Sequence, residues 1–302
     1  MNLAQKLQNS WELMKSSLRV IRDNPRLALF PVVSFLCTIL LALFFLAPLI
    51  VLRAGHPGVV AWIENYGWES GGAKQFQQAF GWLFYTYGGV IYLVSLFVAA
   101  FFNVAFYHEI LRALSGEPVS VGNGLRFAQG RLGAILMWSL LAGTVGLIIR
   151  AIEERLGWLG KIMMGLVGTV WSVAAVFAIP VIIRRPDTNP LAVLRDSAAT
   201  LKKTWGESLV GFVGLQLGGA AIMFLTIIFV VVEVLAFAVL QQVWIMIAGG
   251  VLWLAAVLAI SFFLGIATHV YRCALYVYAS EGVVPQSYTR EMMDAGWKVK
   301  KA

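Results

Sequence analysis

The chain has 302 residues, of which 60% are apolar and only 13% charged. Soluble domains carry about 25% charged residues, so this balance excludes a water-soluble globular protein. The net charge of +8 lies in the connections between apolar stretches, which makes anionic lipid headgroups the expected partner and argues against nucleic acid.

The first element is an amphipathic helix. Leu3, Leu7, Trp11, Met14, Leu18 and Ile21 recur at helical spacing, opposite Lys6, Glu12, Lys15, Arg19 and Arg22. Asn24-Pro25 ends it. A spanning helix needs about 20 apolar residues, and Leu27 to Leu52 has no ionisable group. No cleavable signal peptide is expected, because this first run is itself of spanning length. An aromatic loop with Trp62, Tyr66, Trp68, Phe76, Phe80 and Trp82 follows, suited to a headgroup layer. A second span runs from near Trp82 to Tyr107.

The next unit repeats that order. Val121, Leu125, Ala128 and Leu132 form a short stripe flanked by Arg126 and Arg131, with Ser120 at the N-cap position. Leu132–Ile149 is the third span and Ile162–Ile183 the fourth. Between them, Arg150, Glu153, Glu154 and Arg155 read as a short outer interfacial helix with an Arg150–Glu154 pair. Gly165 and Gly168 suit close helix packing. The third unit opens at Asn189-Pro190, an N-cap and first-turn pair. Its stripe is Leu191, Leu194, Ala198, Leu201 and Trp205, with Arg195, Lys202 and Lys203 off it. Ser208 to Thr268 is too long for one helix, and Gln241-Gln242 divides it into spans five and six.

The expected fold is therefore all-α: a polytopic membrane protein of about six transmembrane helices, with three amphipathic interfacial helices on the cytoplasmic side. It forms one domain, 1–302, of three repeats near 1–108, 119–183 and 189–272, with a short cytoplasmic tail at 273–302. Charge sets the orientation. Only Arg53, Lys74, Arg150, Arg155 and Lys161 fall in outer segments, against the other 18 of the 23 Lys and Arg. Cytoplasmic N- and C-termini follow from the positive-inside rule.

Motifs for chemistry are sparse. No HExxH, GxSxG or P-loop pattern occurs. Cys37 and Cys273 lie at the first and last apolar runs, which argues against a disulfide. His108, Glu109 and His269 are weak metal candidates, read first as interface residues. Glu233 is the one ionisable residue deep in an apolar run. Helical rise counted from Ser208 places it near the outer face, and with Asn103 it marks a possible pathway.

The pieces Ser10-Trp11-Glu12-Leu13-Met14-Lys15, Leu27-Ala28-Leu29-Phe30-Pro31, Phe101-Phe102-Asn103, Arg150–Gly157 and Lys203-Thr204-Trp205-Gly206-Glu207 together resemble a family of prokaryotic integral membrane proteins classed as a domain of unknown function. The likeness runs over roughly residues 8 to 280. It implies a six-span architecture and supplies no activity, cofactor or catalytic residue. The expectation is a non-catalytic protein of a bacterial or archaeal cytoplasmic membrane that organises lipid or a membrane protein complex. The residues expected to meet lipid or a partner are Lys6, Trp11, Lys15, Arg19, Arg22, Arg126, Arg131, Arg195, Lys202, Lys203 and Trp205. An oligomeric channel or transporter with Glu233 near its pathway is the alternative.

Overall fold

Apolar runs of this length leave the backbone no water to bond, so they must satisfy their own polar groups as helices. The computed structural model describes residues 3–55, 58, 72–185, 189–204 and 209–296, and among these it contains helices and no strand. In chain order the helices are α1 (Leu3–Asp23), α2 (Leu29–Gly55), α3 (Gly72–Leu114), α4 (Val121–Gln129), α5 (Leu132–Arg155) and α6 (Gly157–Ala174). They continue as α7 (Ala178–Arg184), α8 (Pro190–Thr204), α9 (Leu209–Leu240), α10 (Val243–Glu281) and α11 (Arg290–Gly296). A 3-10 turn, Pro25–Ala28, joins α1 to α2.

Among the described residues six stretches are long and apolar enough to cross a membrane: Pro25–Pro48, Gly81–Leu114, Leu132–Arg155, Gly160–Arg184, Ile222–Leu240 and Val243–Glu281. The described chain is thus all-helical, and its spans are those of a multi-pass membrane protein. Three details depart from expectation. Arg150–Arg155 is no separate interfacial helix but the last turns of α5, where Arg150 Nε donates to Glu154 Oε1 at 3.0 Å. The fourth span is two helices, α6 and α7, with a break between them. Residues 273–281, expected to begin a tail, are the buried end of α10. Of the aromatic loop, Trp82 is exposed, while Trp62, Tyr66, Trp68 and the side chains of Phe76 and Phe80 lie outside the described residues.

Packing is concentrated at one end of the spans. Leu27 and Phe30, the Val104–Leu114 end of α3, Ala134 and Ile135 of α5, the Phe177–Ile183 segment and the Ile266–Tyr278 end of α10 share one core with α1. Phe30 stacks on Phe106 at 5.4 Å. At the opposite end the helices turn apolar side chains outward: Phe44, Val170, Leu252 and, at 81% exposure, Val239. Acyl chains are the natural cover for such surface. We call these the packed end and the open end.

Close helix contact uses other glycines than the sequence suggested. A methyl group on Gly143 of α5 would lie 3.0 Å from Leu93 and Leu96 of α3, and one on Gly146 would lie 2.8 Å from the Tyr92 hydroxyl. Gly165 and Gly168 face no described atom within 4 Å.

The C-terminal segment closes the packed end. Gly282, with φ of 69°, ends α10 in the left-handed conformation that favours glycine. Met293 of α11 is fully buried, and the Tyr288 hydroxyl pairs with Ser17 Oγ of α1 at 2.7 Å. Tyr278 donates to Asp294. Burial pushes the Tyr288 phenol well above its ordinary pKa, and the Ser17 bond opposes this in part.

Thiol labelling tests this polarity. Cys273 is buried at the packed end and Cys37 is half-buried on α2. A membrane-permeant maleimide should label the wild-type protein at Cys37. A Cys37→Ser variant should stay unlabelled until denatured; rapid labelling of Cys273 in mild detergent would refute the packed end.

Candidate functional site

The three amphipathic segments all meet the packed end, each by a specific polar anchor. α4 is held by Glu109, which is fully buried on α3. Its Oε2 accepts the Ser120 N–H at 2.7 Å, and its Oε1 accepts from Asn123 Nδ2 at 2.8 Å and from Arg112 Nη1 at 3.3 Å. Ser120 occupies the N-cap position as expected, but its own side chain makes no capping bond. The cap comes from a carboxylate on the preceding span, where the helix dipole also favours negative charge. Gly124 makes the docking possible: a methyl group there would lie 2.7 Å from the Ala105 carbonyl oxygen and 2.9 Å from Glu109 Cγ. Arg112 is shared, its Nε donating to Glu117 Oε2 at 2.8 Å.

α8 is held by Ser197. Pro180 has no N–H, and its ring clashes with the carbonyl of residue 176 in a regular helix; the fourth span duly breaks between Ala174 and Ala178. Two of the freed backbone groups are met by one buried hydroxyl. Ser197 Oγ donates to the Ala174 carbonyl at 2.6 Å and accepts the Phe177 N–H at 3.0 Å. Both Ser197 and Phe177 are fully buried. At the start of α8, Asn189 Oδ1 accepts the Leu191 N–H at 3.0 Å, a true N-cap. The buried face of α8 carries Val193 and Ser197. It is rotated from the expected stripe: Leu194, Ala198 and Leu201 are half-buried and Leu191 is exposed. A stripe defined by hydropathy alone misses an anchoring serine.

α1 lies against α9, α10 and α11. Leu13, Met14, Ser16, Ser17, Val20 and Ile21 are buried. Trp11, expected on the apolar stripe, is 57% exposed, with Lys15 Nζ 5.7 Å from its ring and 3.0 Å from Glu12 Oε1.

The basic residues divide into two groups. Arg19, Arg22, Arg126, Arg195 and Lys202 are exposed on α1, α4 and α8. Arg131 is half-buried instead, donating from Nη1 to the Arg185 carbonyl at 2.9 Å beside the Phe127 ring. The Lys6 and Lys203 side chains and Trp205 lie outside the described residues.

The weak metal candidates are engaged separately. His108 stacks on Phe127 at 3.7 Å between near-parallel rings. Glu109 caps α4. His269 Nδ1 lies 2.8 Å from the Tyr107 hydroxyl, which also accepts from Arg272 Nη1 at 3.2 Å. Among the described residues no three His, Cys, Asp or Glu side chains gather where a metal could be held. Asn103 is half-buried on α3. Glu233 is also half-buried, and its carboxylate presses on Gly249 of α10, where a methyl group would overlap Oε1. α9 continues past Glu233 to Leu240, about 10 Å further. The carboxylate is thus about two turns from the end of α9 and faces the other helix of the hairpin.

A family model described as "Family of unknown function (DUF6159)" matches residues 83–285. The chain belongs to this family. The match takes in α4 and α8 with their anchors Glu109 and Ser197, and α10 with its buried end. It leaves out α1 and α2, and with them the Ser10–Lys15 and Leu27–Pro31 pieces. Comparison with curated proteins and with solved structures gave no match.

Thermal unfolding in detergent weighs the anchors. Ser197→Ala orphans a buried N–H and a buried carbonyl and should cost about 1–3 kcal/mol. Glu109→Ala removes a buried helix cap and leaves Arg112 short of a partner, for about 2–4 kcal/mol. Exposed Arg195→Ala should leave the midpoint in place. Equal melting of all three variants and wild type would reject both anchors.

Proposed function

We propose that this family member is a non-catalytic membrane protein that organises lipid, or a membrane protein complex, through basic amphipathic helices at the inner leaflet. The observation that carries the reading is the arrangement of α1, α4 and α8. Each buries one face in the packed end and leaves Arg or Lys exposed on another: Arg19 and Arg22, Arg126, and Arg195 with Lys202. A basic residue near an anionic surface contributes about 1 kcal/mol, and a rigidly docked helix contributes it without the entropy of folding onto the membrane. The positive-inside count supports placing the packed end and both termini in the cytoplasm. A bacterial or archaeal cytoplasmic membrane fits the resemblance.

Lipid extraction tests the reading. Wild type and an Arg126→Gln, Arg195→Gln, Lys202→Gln variant are taken from native membranes in lipid-preserving polymer, and co-extracted lipids are quantified. Anionic lipid should be enriched around wild type, and that enrichment should fall about tenfold in the variant. Identical lipid profiles would remove the lipid half of the reading. Reporters on the two termini should both be inside; an outer terminus would invert the orientation.

A second reading, an oligomeric channel or transporter, draws on Glu233. An ionisable group inside an apolar span marks function by default, and Gly249 gives this one a fitted recess on the facing helix. Solute flux in proteoliposomes that Glu233→Gln abolishes would bring this reading forward.

A further inference from the structure

A second, distinct charge arrangement sits where α7, α8 and α10 meet. An open cleft of about 230 Å³ is lined there by Val181, Arg185, Asp196, Ala199, Thr200 and Tyr276. Arg185 Nε donates to Asp196 Oδ2 at 2.7 Å. Beside it Arg184 Nη2 donates to Glu281 Oε1 at 2.9 Å. The Tyr276 ring is 5.7 Å from Phe177, the buried residue at the span-four break, which fixes the wall of the cleft. These four charges are half-exposed or nearly so, and they balance: two guanidinium groups against two carboxylates.

We propose that this cleft binds the headgroup of a phosphoethanolamine lipid. The phosphate would meet the guanidinium of Arg185, which has five N–H donors and uses one of them on Asp196. The primary ammonium would meet the carboxylate of Asp196, which lines the cleft beside Arg185. Three observations select this ligand. The depth is right, because Arg184 ends the fourth candidate span, so Arg185 lies where that apolar stretch stops. The charge is right, because a site with fixed charges of both signs matches a zwitterion better than a purely anionic headgroup. The surroundings are right, because the exposed apolar faces of α6, such as Leu166 and Val170, leave room for acyl chains. The inference rests on the lipid reading above but on a separate set of residues.

The test is titration of the full-length protein in detergent with short-chain phosphatidylethanolamine, phosphatidylcholine and phosphatidylglycerol, read by native mass spectrometry. Phosphatidylethanolamine should bind at about tenfold lower concentration than phosphatidylcholine, whose quaternary ammonium cannot donate a hydrogen bond. Asp196→Asn should remove that preference, and Glu281→Gln, outside the cleft lining, should keep it. Ala199→Phe, which adds a ring to the cleft lining and leaves all four charged residues in the chain, should abolish binding at an unchanged melting temperature, and so separates lost binding from lost folding. Equal binding of the three lipids, or a preference that survives Ala199→Phe, would overturn the proposal. The Arg126, Arg195, Lys202 variant should keep the phosphatidylethanolamine preference. Loss of anionic enrichment there with the preference intact would show that the two sites stand or fall apart.

Discussion

A backbone that leaves the helical ladder inside an apolar span has no water to satisfy it, and much of the packed end follows from how this chain answers that demand. Pro180 imposes the break, and one hydroxyl on a neighbouring helix bonds two of the freed groups, the Ala174 carbonyl and the Phe177 N–H. α8 must therefore stay docked for the fourth span to keep its shape. Docking α8 also positions Val193 in the core, and the same break sets Phe177 against Tyr276 and so against the buried end of α10. A helix that hydropathy alone describes as lying on a membrane is, through Ser197, a structural part of the bundle.

What could be read from the sequence was what depends on near neighbours in the chain. The six spans, the helix start at Asn189 and the Arg150–Glu154 pair all rest on local periodicity or local spacing, and the structure holds them. What could not be read depends on distant partners. Glu109 caps a helix eleven residues later, on another element, and only the pairing of an unsatisfied N-cap at Ser120 with a nearby buried acid could have hinted at it. Ser197 was hidden because serine counts as polar in a stripe defined by apolar residues. The rotation of α8 has the same origin: its inward face is chosen by the backbone groups at the break as much as by hydrophobicity. At Gly165 and Gly168 no described atom comes within 4 Å of an added methyl group, whereas the α3–α5 contact is made through Gly143 and Gly146.

The two buried or half-buried glutamates show how context decides what an acid does. Glu109 is removed from solvent but surrounded by donors: a backbone N–H, an amide and a guanidinium. Its burial is compensated, and its effect is to fix α4 on α3. Glu233 sits in the most apolar hairpin of the chain, against a glycine. No comparable set of donors converges on it among the described residues. The first is read as architecture and the second as a group whose role lies outside the packed end.

Polarised packing also explains how charge can be both structural and available on one molecule. At the packed end the acids are spent on particular cations: Glu109 and Glu117 on Arg112, Asp196 on Arg185, Glu281 on Arg184. The exposed cations of α1, α4 and α8 lie beyond those pairs, on helices that the pairs and the buried hydroxyl hold rigid. An amphipathic helix that had to fold onto the bilayer would lose part of its binding free energy to ordering. One already docked has no such ordering left to undergo, which is why docking of α1, α4 and α8 on the packed end supports the lipid reading proposed above rather than a purely structural one.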